Sequence, residues 1–472
     1  MHRIAVVGGG ISGLAAAFHL AKARRQGAVI EEHLFEASDR LGGVIRTERI
    51  DGCVVEAGPD SFLTEKPDAF LLAKELGIGE HVIGSNDEQR KTYILHNRKL
   101  VPFPEGLQFL VPARIWPVVR TPLLSLRDKW AIAREFFSRP PAQQTDESVA
   151  SFVERHFGRG MVQSIVDPLL SGVYGGLANE LSVESVLPRF REIERRDGSL
   201  VRGVWRNLRN RRKTQGARVP PLFSAFRDGL QELVDAIQAR LAPECVACGR
   251  RLVALRRVGG KYQLTFAGGE SFEADGVILA LPAYESARLV RELGTALAER
   301  LAEIPYVSSL TVALGYERDA LRNLPGGFGF LVPRKEGRRL LACTFVHNKF
   351  PFRVPADRGL LRCFLGGSGN ETVMEASDEE VLGIVQQELE AILGLSAVPL
   401  FTRIYRWRKA MAQYTVGHKE RLEGIDRELT KLPGLALAGN ANQGIGIPDC
   451  IRSGKRAAET VLQFLRVRPP VS

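Results

Sequence analysis

Short apolar runs bounded by glycine dominate the start of the chain and predict a strand, a tight turn and a helix. Residues 4–7 are continuously apolar, and the three glycines that follow mark the end of a buried strand. The alanine-rich segment 14–23 has the composition of a helix, and the next strand ends at Glu36. This order of elements predicts a nucleotide-binding α/β unit.

The pattern of apolar and polar positions changes three times along the rest of the chain. Residues 85–203 are arginine-rich, with apolar faces at helical spacing. Residues 220–300 return to an α/β pattern, residues 301–404 are short alternating strands with turns, and a final helix covers 453–465. We therefore predict a discontinuous nucleotide domain (1–84, 204–300 and 405–472), an α-helical insertion (85–203) and a sheet domain (301–404).

The first turn carries a dinucleotide-binding fingerprint. Gly8, Gly10 and Gly13 fit G-x-G-x-x-G, in which glycines form the tight turn, admit the pyrophosphate and let the helix pack on the strand. The helix that follows presents its N-terminal amides to the phosphates. Glu36, at the end of the second strand, is placed to bind ribose hydroxyls. Together these features predict a bound dinucleotide.

Composition and charge favour a cytoplasmic enzyme with anionic partners. The chain has 472 residues and a net charge of +11, which favours carboxylate-bearing substrates or a lipid surface. Its longest apolar stretch, 109–126, contains two arginines and three prolines and is not a spanning helix. The first strand follows the initial methionine closely, so we predict no signal peptide. We interpret the densest basic run, 202–218, as a solvated loop and expect no nucleic-acid partner.

Several segments together resemble one family of flavoproteins. They include Gly-Pro-Asp-Ser-Phe-Leu at 58–63 and Val-Gly-His-Lys at 416–419. The others are 8–17, 35–37, 40–43, 168–176 and 444–450. Over nearly its whole length the chain resembles the oxygen-dependent, FAD-containing protoporphyrinogen and coproporphyrinogen III oxidases, in particular the soluble type of Gram-positive bacteria.

The resemblance implies a fold and a non-covalent FAD. The fold class is α/β: a Rossmann-like FAD domain of the amine-oxidase/p-hydroxybenzoate-hydroxylase type, an antiparallel-sheet substrate domain and an inserted α-helical domain. The chain departs from the pattern of related flavoproteins at two positions. Many relatives have valine in place of Leu252, and many flavoproteins have an acid in place of Asn440. The implied cofactor contacts are Gly8, Gly9, Gly10, Ile11, Ser12, Gly13, Glu36, Ala37, Gly43, Val44, Gly58, Pro59, Asp60, Ser61, Leu252, Ile445, Gly446 and Ile447.

The resemblance also implies a substrate and its contacts. A porphyrinogen loses six electrons, by hydride transfer to flavin N5 and reoxidation by O2, so no catalytic side chain is assigned. Lys66 is the expected partner of a propionate, and an apolar pocket is expected around the macrocycle. The implied substrate contacts are Lys66, Gly172, Gly175, Leu331, Phe345 and Phe364. No cluster of Cys, His and acidic residues has metal-site spacing, so we predict no metal.

Alternatives stay open at this point. Other flavin amine oxidases and carotenoid desaturases share both glycine segments, and a tetrapyrrole carrier that keeps FAD as a structural element is a different class. The substrate is either coproporphyrinogen III, which the basic charge favours, or protoporphyrinogen IX. Peripheral contact of the helical domain with the inner face of the membrane, and a homodimer, are further hypotheses.

Overall fold

The computed structural model describes residues 1–108, 110–140, 145–214 and 220–467. The helices are α1 Ile11–Arg25, α2 Asp68–Leu76, α3 Ile115–Arg120, α4 Leu126–Glu135, α5 Val149–Phe157, α6 Arg159–Met161, α7 Asp167–Tyr174, α8 Val183–Val186, α9 Pro188–Asp197, α10 Leu200–Thr214, α11 Gln231–Gln238, α12 Ala283–Val290, α13 Thr295–Ala302, α14 Val346–Lys349, α15 Asp378–Leu393, α16 His418–Leu429 and α17 Ile447–Phe464. The strands are β1 His2–Val7, β2 Ile30–Phe35, β3 Thr47–Ile50, β4 Cys53–Glu56, β5 Phe62–Leu63, β6 Val82–Gly84, β7 Thr92–His96, β8 Lys99–Pro102, β9 Leu107–Gln108, β10 Val111–Pro112, β11 Phe223–Phe226, β12 Val246–Ala247, β13 Leu252–Val258, β14 Lys261–Phe266, β15 Ser271–Ala274, β16 Gly276–Leu279, β17 Tyr306–Glu317, β18 Gly329–Leu331, β19 Ala342–Phe345, β20 Arg358–Gly366, β21 Phe401–Ala412 and β22 Leu435–Leu437.

A five-stranded parallel sheet brings the two ends of the chain together. Its order is β12-β2-β1-β16-β22, so strands from the start, the middle and the end of the sequence are neighbours. The first and last helices, α1 and α17, pack against each other on one face of this sheet. Gly454 makes the close approach possible, because a Cβ there would lie 2.0 Å from the carbonyl oxygen of Ser12. The N-termini of both helices therefore belong to one region of the molecule.

A seven-stranded sheet forms the second layer. Its order is β21-β17-β20-β19-β18-β7-β8, antiparallel except for the β18–β7 pair. One face is covered by α15, whose buried Val381, Val385 and Leu389 join the apolar core of the sheet. Part of the opposite face packs on the β3–β4 hairpin of the nucleotide-binding part.

The strand pairing moves two of the predicted domain boundaries. The hairpin β7–β8 joins the seven-stranded sheet, although 85–203 was predicted to be a helical insertion. Strand β21 continues the same sheet to residue 412, beyond the predicted end at 404. In both cases a strand pairs with strands that are distant in sequence. The periodicity within one segment carries no information about such pairing.

Helices α3 to α10 build a separate core around Phe152, Phe157, Ile165 and Leu170, all fully buried. A single π-helical turn, Val162–Val166, connects α6 to α7. The interpretation of 202–218 as a loop is wrong up to residue 214, because α10 runs from Leu200 to Thr214 with Leu200 and Val204 buried in this core. Residues 215–218 lie outside the described ranges.

Candidate active site

The glycine turn between β1 and α1 has room for a phosphate group. Gly10 begins α1 without a side-chain hydrogen bond to cap it, so the first amides of the helix stay available. A Cβ on Gly10 would meet no atom within 4 Å, which shows open space in front of these amides. Gly13, by contrast, lies against the strand: its Cβ would be 1.8 Å from the carbonyl oxygen of Gly8. The turn therefore fits the dinucleotide predicted from its sequence.

Glu36 lies beside this turn at the end of β2. Its Oε2 accepts the amide of Gly9 at 2.6 Å, and its Oε1 accepts the amide and hydroxyl of Ser38, each at 2.8 Å. The amide of Arg250, two residues before Leu252, donates to the Glu36 carbonyl at 2.7 Å. The structure thus brings Glu36, the exposed Ala37 and the start of β13 to the nucleotide turn. The carbonyl of Leu252 itself accepts a hydrogen bond from Arg288 at 3.1 Å.

A second loop continues from the glycine turn. Gly42 pairs with Gly10 in a parallel bridge, and a Cβ on Gly43 would lie 3.1 Å from the Gly10 Cα. Val44, which is 41% exposed, then abuts Gly58, whose Cβ would meet the Val44 carbonyl at 2.2 Å. These approaches form a continuous path from the phosphate turn to the segment 58–61.

Behind the segment 58–61 lies a buried set of charges, which we call the Asp60 cluster: Glu56, Asp60, Lys349, Arg353 and Arg362. Lys349 Nζ lies 3.1 Å from both carboxylate oxygens of Asp60 and 3.2 Å from the Ser61 hydroxyl. Arg362 reaches Asp60 Oδ2 at 3.3 Å and also donates to the Gly58 carbonyl. Arg353 pairs with Glu56 at 3.1 Å and donates to the Asp60 carbonyl at 2.8 Å. The cluster fastens the segment 58–61 to the seven-stranded sheet.

The electrostatics of the Asp60 cluster favour ionised Asp60. Burial opposes its charge, but Lys349 and then Arg362 outweigh burial and hold the pKa of Asp60 well below its usual range. Burial lowers the pKa of Lys349, an effect that Asp60 opposes. With all five groups ionised, three cations face two carboxylates, so the cluster is an electropositive support beneath the loop.

Lys66 is paired with a carboxylate from the other end of the chain. Its Nζ lies 2.5 Å from Asp449 Oδ2, in the first turn of α17. Asp449 is 3% exposed in its side chain and also binds Arg452, which in turn reaches Asp68 at 2.9 Å. The Lys66 side chain keeps 35% of its surface exposed. The cation is therefore held in place while part of it still faces open space.

The implied substrate contacts Leu331, Phe345 and Phe364 lie on two different faces of the seven-stranded sheet. Leu331 pairs with Ala342, and Ala342 pairs with Phe364, so the side chains of Leu331 and Phe364 share one face. Both are partly exposed. Phe345 pairs with Leu361 on the opposite face, where it is fully buried in the core under α15. The structure thus separates Phe345 from the predicted pocket, because alternate residues of a strand point to opposite faces.

The turn after α7 faces the same region. A Cβ on Gly172 would lie 3.3 Å from Leu331 Cδ2, and Gly175 ends the helix in the left-handed conformation. Burial and then the nearby Asp449 carboxylate raise the pKa of Tyr174 to about 12, which keeps its phenol neutral. Gly172 and Leu331 are therefore close neighbours, and Tyr174 of the same turn lies near the Lys66–Asp449 pair.

The C-terminal segment 444–447 leads into α17 beside Asp449. Gly446 begins the helix without a side-chain cap, with Pro448 in the first turn. The Tyr414 hydroxyl accepts the Gly444 amide at 2.9 Å and donates to the Asn440 carbonyl at 2.7 Å. The Asn440 amide is engaged by Tyr306 and by the Ala410 carbonyl. Asn440 thus braces the segment through protein contacts.

A family model for flavin-containing amine oxidoreductases matches residues 11–462. The chain belongs to the flavin-containing amine oxidoreductase family. The prediction of an α/β flavoprotein oxidoreductase with FAD as cofactor is confirmed. Within the described ranges, no helix is both long and apolar enough to cross a membrane.

Several known proteins match the chain over nearly its whole length. Coproporphyrinogen III oxidase of Bacillus subtilis (strain 168) is 34% identical over 470 residues, 98% of each protein. Protoporphyrinogen oxidase 2 of Arabidopsis thaliana is 28% identical and covers 98% of this chain and 94% of that protein. A crystal structure from Exiguobacterium sp. 255-15 superposes with a TM-score of 0.86 at 30% identity, over 98% of this chain and 99% of that one. The resemblance to the protoporphyrinogen and coproporphyrinogen III oxidases is thereby confirmed.

Sequence reasoning missed Asp449 as the partner of Lys66 and the cations of the Asp60 cluster. A signal for the cluster was present: Arg362 interrupts an apolar strand, and a charge in a buried strand requires a buried partner. Asp449 carried a weaker signal, as an acid in the first turn of a helix.

Proposed function

We propose that this chain is an FAD-dependent porphyrinogen oxidase that converts coproporphyrinogen III to coproporphyrin III. The substrate loses six hydrogens in three two-electron rounds, and each round reduces one O2 to H2O2. The observation that carries the proposal is the similarity, over 98% of both chains, to the coproporphyrinogen III oxidase of Bacillus subtilis. The uncapped N-termini of α1 and α17, with open space in front of Gly10, support it.

When bound, FAD supplies the hydride acceptor and passes electrons to O2. The chain's own residues have the task of binding and orientation. Gly8 to Gly13 and Glu36 would hold the nucleotide half, and the segments 43–44, 58–61 and 445–447 would hold the flavin half. The electropositive Asp60 cluster keeps the segment 58–61 fixed against the substrate sheet.

The macrocycle would lie between the segment 444–447 and the face that carries Leu331 and Phe364. Gly172 permits its backbone to approach Leu331 without a side chain between them. Lys66 would meet a propionate at its exposed side, since Asp449 occupies only one of the three ammonium donors. Asp449 itself keeps a second cation, Arg452, when the propionate arrives.

The proposal is tested by mixing the purified holoenzyme anaerobically with coproporphyrinogen III and, separately, with protoporphyrinogen IX. We expect loss of the flavin absorbance with both, faster with coproporphyrinogen III, and recovery on admission of air. A flavin that stays oxidised with both substrates while coproporphyrin III binds tightly would support a tetrapyrrole carrier. Bleaching by amines alone would support an amine oxidase.

We also propose that α3 and α4 make peripheral contact with an anionic lipid surface. Trp116, Leu126, Trp130 and Phe137 are 71%, 84%, 64% and 77% exposed. Arginines accompany the indoles, with Arg120 over Trp116 and Arg134 over Trp130. Exposed aromatic residues beside cations have the composition of an interfacial membrane contact.

A further inference from the structure

Two adjoining cavities open beside the hairpin that joins β18 to β19. Their volumes are about 320 Å³ and about 520 Å³, and both are bordered by Gly337 and Arg338. We call them together the basic cleft. The charged residues that line it are Arg98, Arg334, Lys335, Arg338 and Arg339 against Glu336 and Glu388.

The two carboxylates do not neutralise the basic cleft. Glu388 accepts the Arg339 amide at 3.2 Å and lies 3.9 Å from the Arg338 guanidinium. Glu336 accepts the amide of Asn97 at 3.2 Å. Across the described part of the chain, no carboxylate comes within salt-bridge distance of the side chains of Arg98 or Arg339, both of which are exposed. With Asp167, which lies 3.7 Å from Arg334, the five cations face three acids, so an excess of two positive charges remains.

Arg334 connects the basic cleft to the proposed substrate pocket. It borders the smaller cavity and donates through Nη2 to the carbonyl of Ser368 at 2.5 Å. The Ser368 amide donates in turn to the Gly175 carbonyl at 2.7 Å. Arg334 Nε lies 3.7 Å from Asp167, at the start of the helix that carries Gly172. Hydrogen bonds through Arg334 and Ser368 therefore connect the basic cleft to the Gly172–Gly175 turn.

We propose that the basic cleft is the entry site for a polycarboxylate macrocycle, which its excess charge attracts and delivers past Arg334 to the pocket. This inference rests on the proposed function and specifies its substrate class. A tetracarboxylate offers twice the charge of a dicarboxylate to the same field. Focused positive charge accelerates the encounter with an anion and is screened by salt. The basic cleft should therefore favour a tetracarboxylate over a dicarboxylate mainly by raising its association rate.

The test uses the oxidised holoenzyme and two stable porphyrins, coproporphyrin III with four carboxylates and deuteroporphyrin IX with two. Association is followed by stopped-flow quenching of porphyrin fluorescence at low and high ionic strength. The variant is R98Q/R339Q, which removes two exposed charges that have no carboxylate partner. The control is R251Q/R427Q, which removes one exposed arginine just before β13 and one in α16. The control and R98Q/R339Q therefore have the same net charge.

We expect R98Q/R339Q to slow coproporphyrin III association about three- to tenfold at low salt and to flatten its salt dependence, with a smaller effect on deuteroporphyrin IX. The opposite variant, E336Q, adds net positive charge and should speed association. The control should behave like the wild type apart from a small general effect of net charge.

Equal association rates and equal salt dependence for R98Q/R339Q and its control would overturn the entry site. That result would not bear on the proposed oxidase activity, which is tested separately by flavin bleaching in the wild type. Wild-type protein that bleaches with porphyrinogen while R98Q/R339Q matches its control would keep the oxidase and remove the basic cleft from its substrate path.

Discussion

Lys66 and Asp449 form an ion pair that joins the start of the chain to its end at the proposed pocket. Both members have a second role available: Lys66 has free donors, and Asp449 has a second cation in Arg452. If the pair is purely structural, loss of either residue should have the same effect. If Lys66 binds the substrate, only loss of Lys66 should weaken substrate binding. The two roles can therefore be separated by mutation.

We expect K66A to raise the apparent KM for coproporphyrinogen III about three- to tenfold. A charge-assisted contact is worth about 1.5–3 kcal/mol, and partial exposure of Lys66 reduces that value. D449N breaks the same pair but leaves the cation, so its KM should stay unchanged or fall. Steady-state kinetics of both variants provide the measurement. An equal rise in KM for K66A and D449N would mean that Lys66 acts only through the ion pair.

At the scale of single elements, the helical core contains a buried histidine between two carboxylates from different helices. His156 of α5 lies 2.9 Å from Glu135 of α4 and 3.1 Å from Glu194 of α9. Glu135 also accepts the amides of Leu200 and Val201, at the start of α10. Burial lowers the pKa of His156, but the hydrogen bonds to the two carboxylates outweigh burial and raise it above 6.5. Charged His156 thus links four helices.

Since the folded-state pKa of His156 is raised, its stabilisation is complete below about pH 6.5 and is lost as pH rises through the folded pKa. We expect H156Q to lower the free energy of unfolding by about 2–4 kcal/mol at pH 6 and by less at alkaline pH. Denaturant unfolding across this pH range measures the difference.

The exposed pair His81–Glu232, 2.7 Å apart, provides the matched control. H81Q should cost about 1 kcal/mol or less, as is typical of surface ion pairs. A pH-independent cost for H156Q would show that the imidazole fills space rather than carries charge.

Local sequence predicted the elements whose signals are local. The glycine turn, the acid that ends β2 and the strands at 261–266 and 276–279 follow from runs and turns within a few residues. Helix α10 was missed although Leu200, Val201 and Val204 follow helical spacing, because its arginines dominate the composition. Helix α17 begins six residues before the predicted position 453, since Pro448 is tolerated in a first turn.

The remaining features depend on distant pairing. The register of β19 on β20 determines which face of the sheet Phe345 occupies. A shift of one residue would move its side chain to the opposite face. The Lys66–Asp449 pair and the Asp60 cluster join residues hundreds of positions apart. No periodicity within one segment records such contacts.

At the scale of the whole molecule, two surfaces of this chain with a net charge of +11 are proposed to contact anions. The basic cleft lies on the substrate sheet, and the arginines of α3 and α4 lie on the helical part beside exposed tryptophans. The first is a polar cleft, whereas the second exposes large apolar side chains. The two surfaces should therefore respond differently to salt and to loss of apolar side chains.

The lipid contact is tested by sedimentation with vesicles that contain or lack phosphatidylglycerol. We expect binding to the anionic vesicles at low salt, and a decrease as salt screens the arginines. L126S/W130S removes two exposed apolar side chains and should reduce binding several-fold without loss of stability. V398S/L400S, which changes exposed apolar residues elsewhere, should bind like the wild type. Failure of the wild type to sediment with anionic vesicles at low salt would remove the membrane from its partners and leave the exposed face of α3 and α4 without this role.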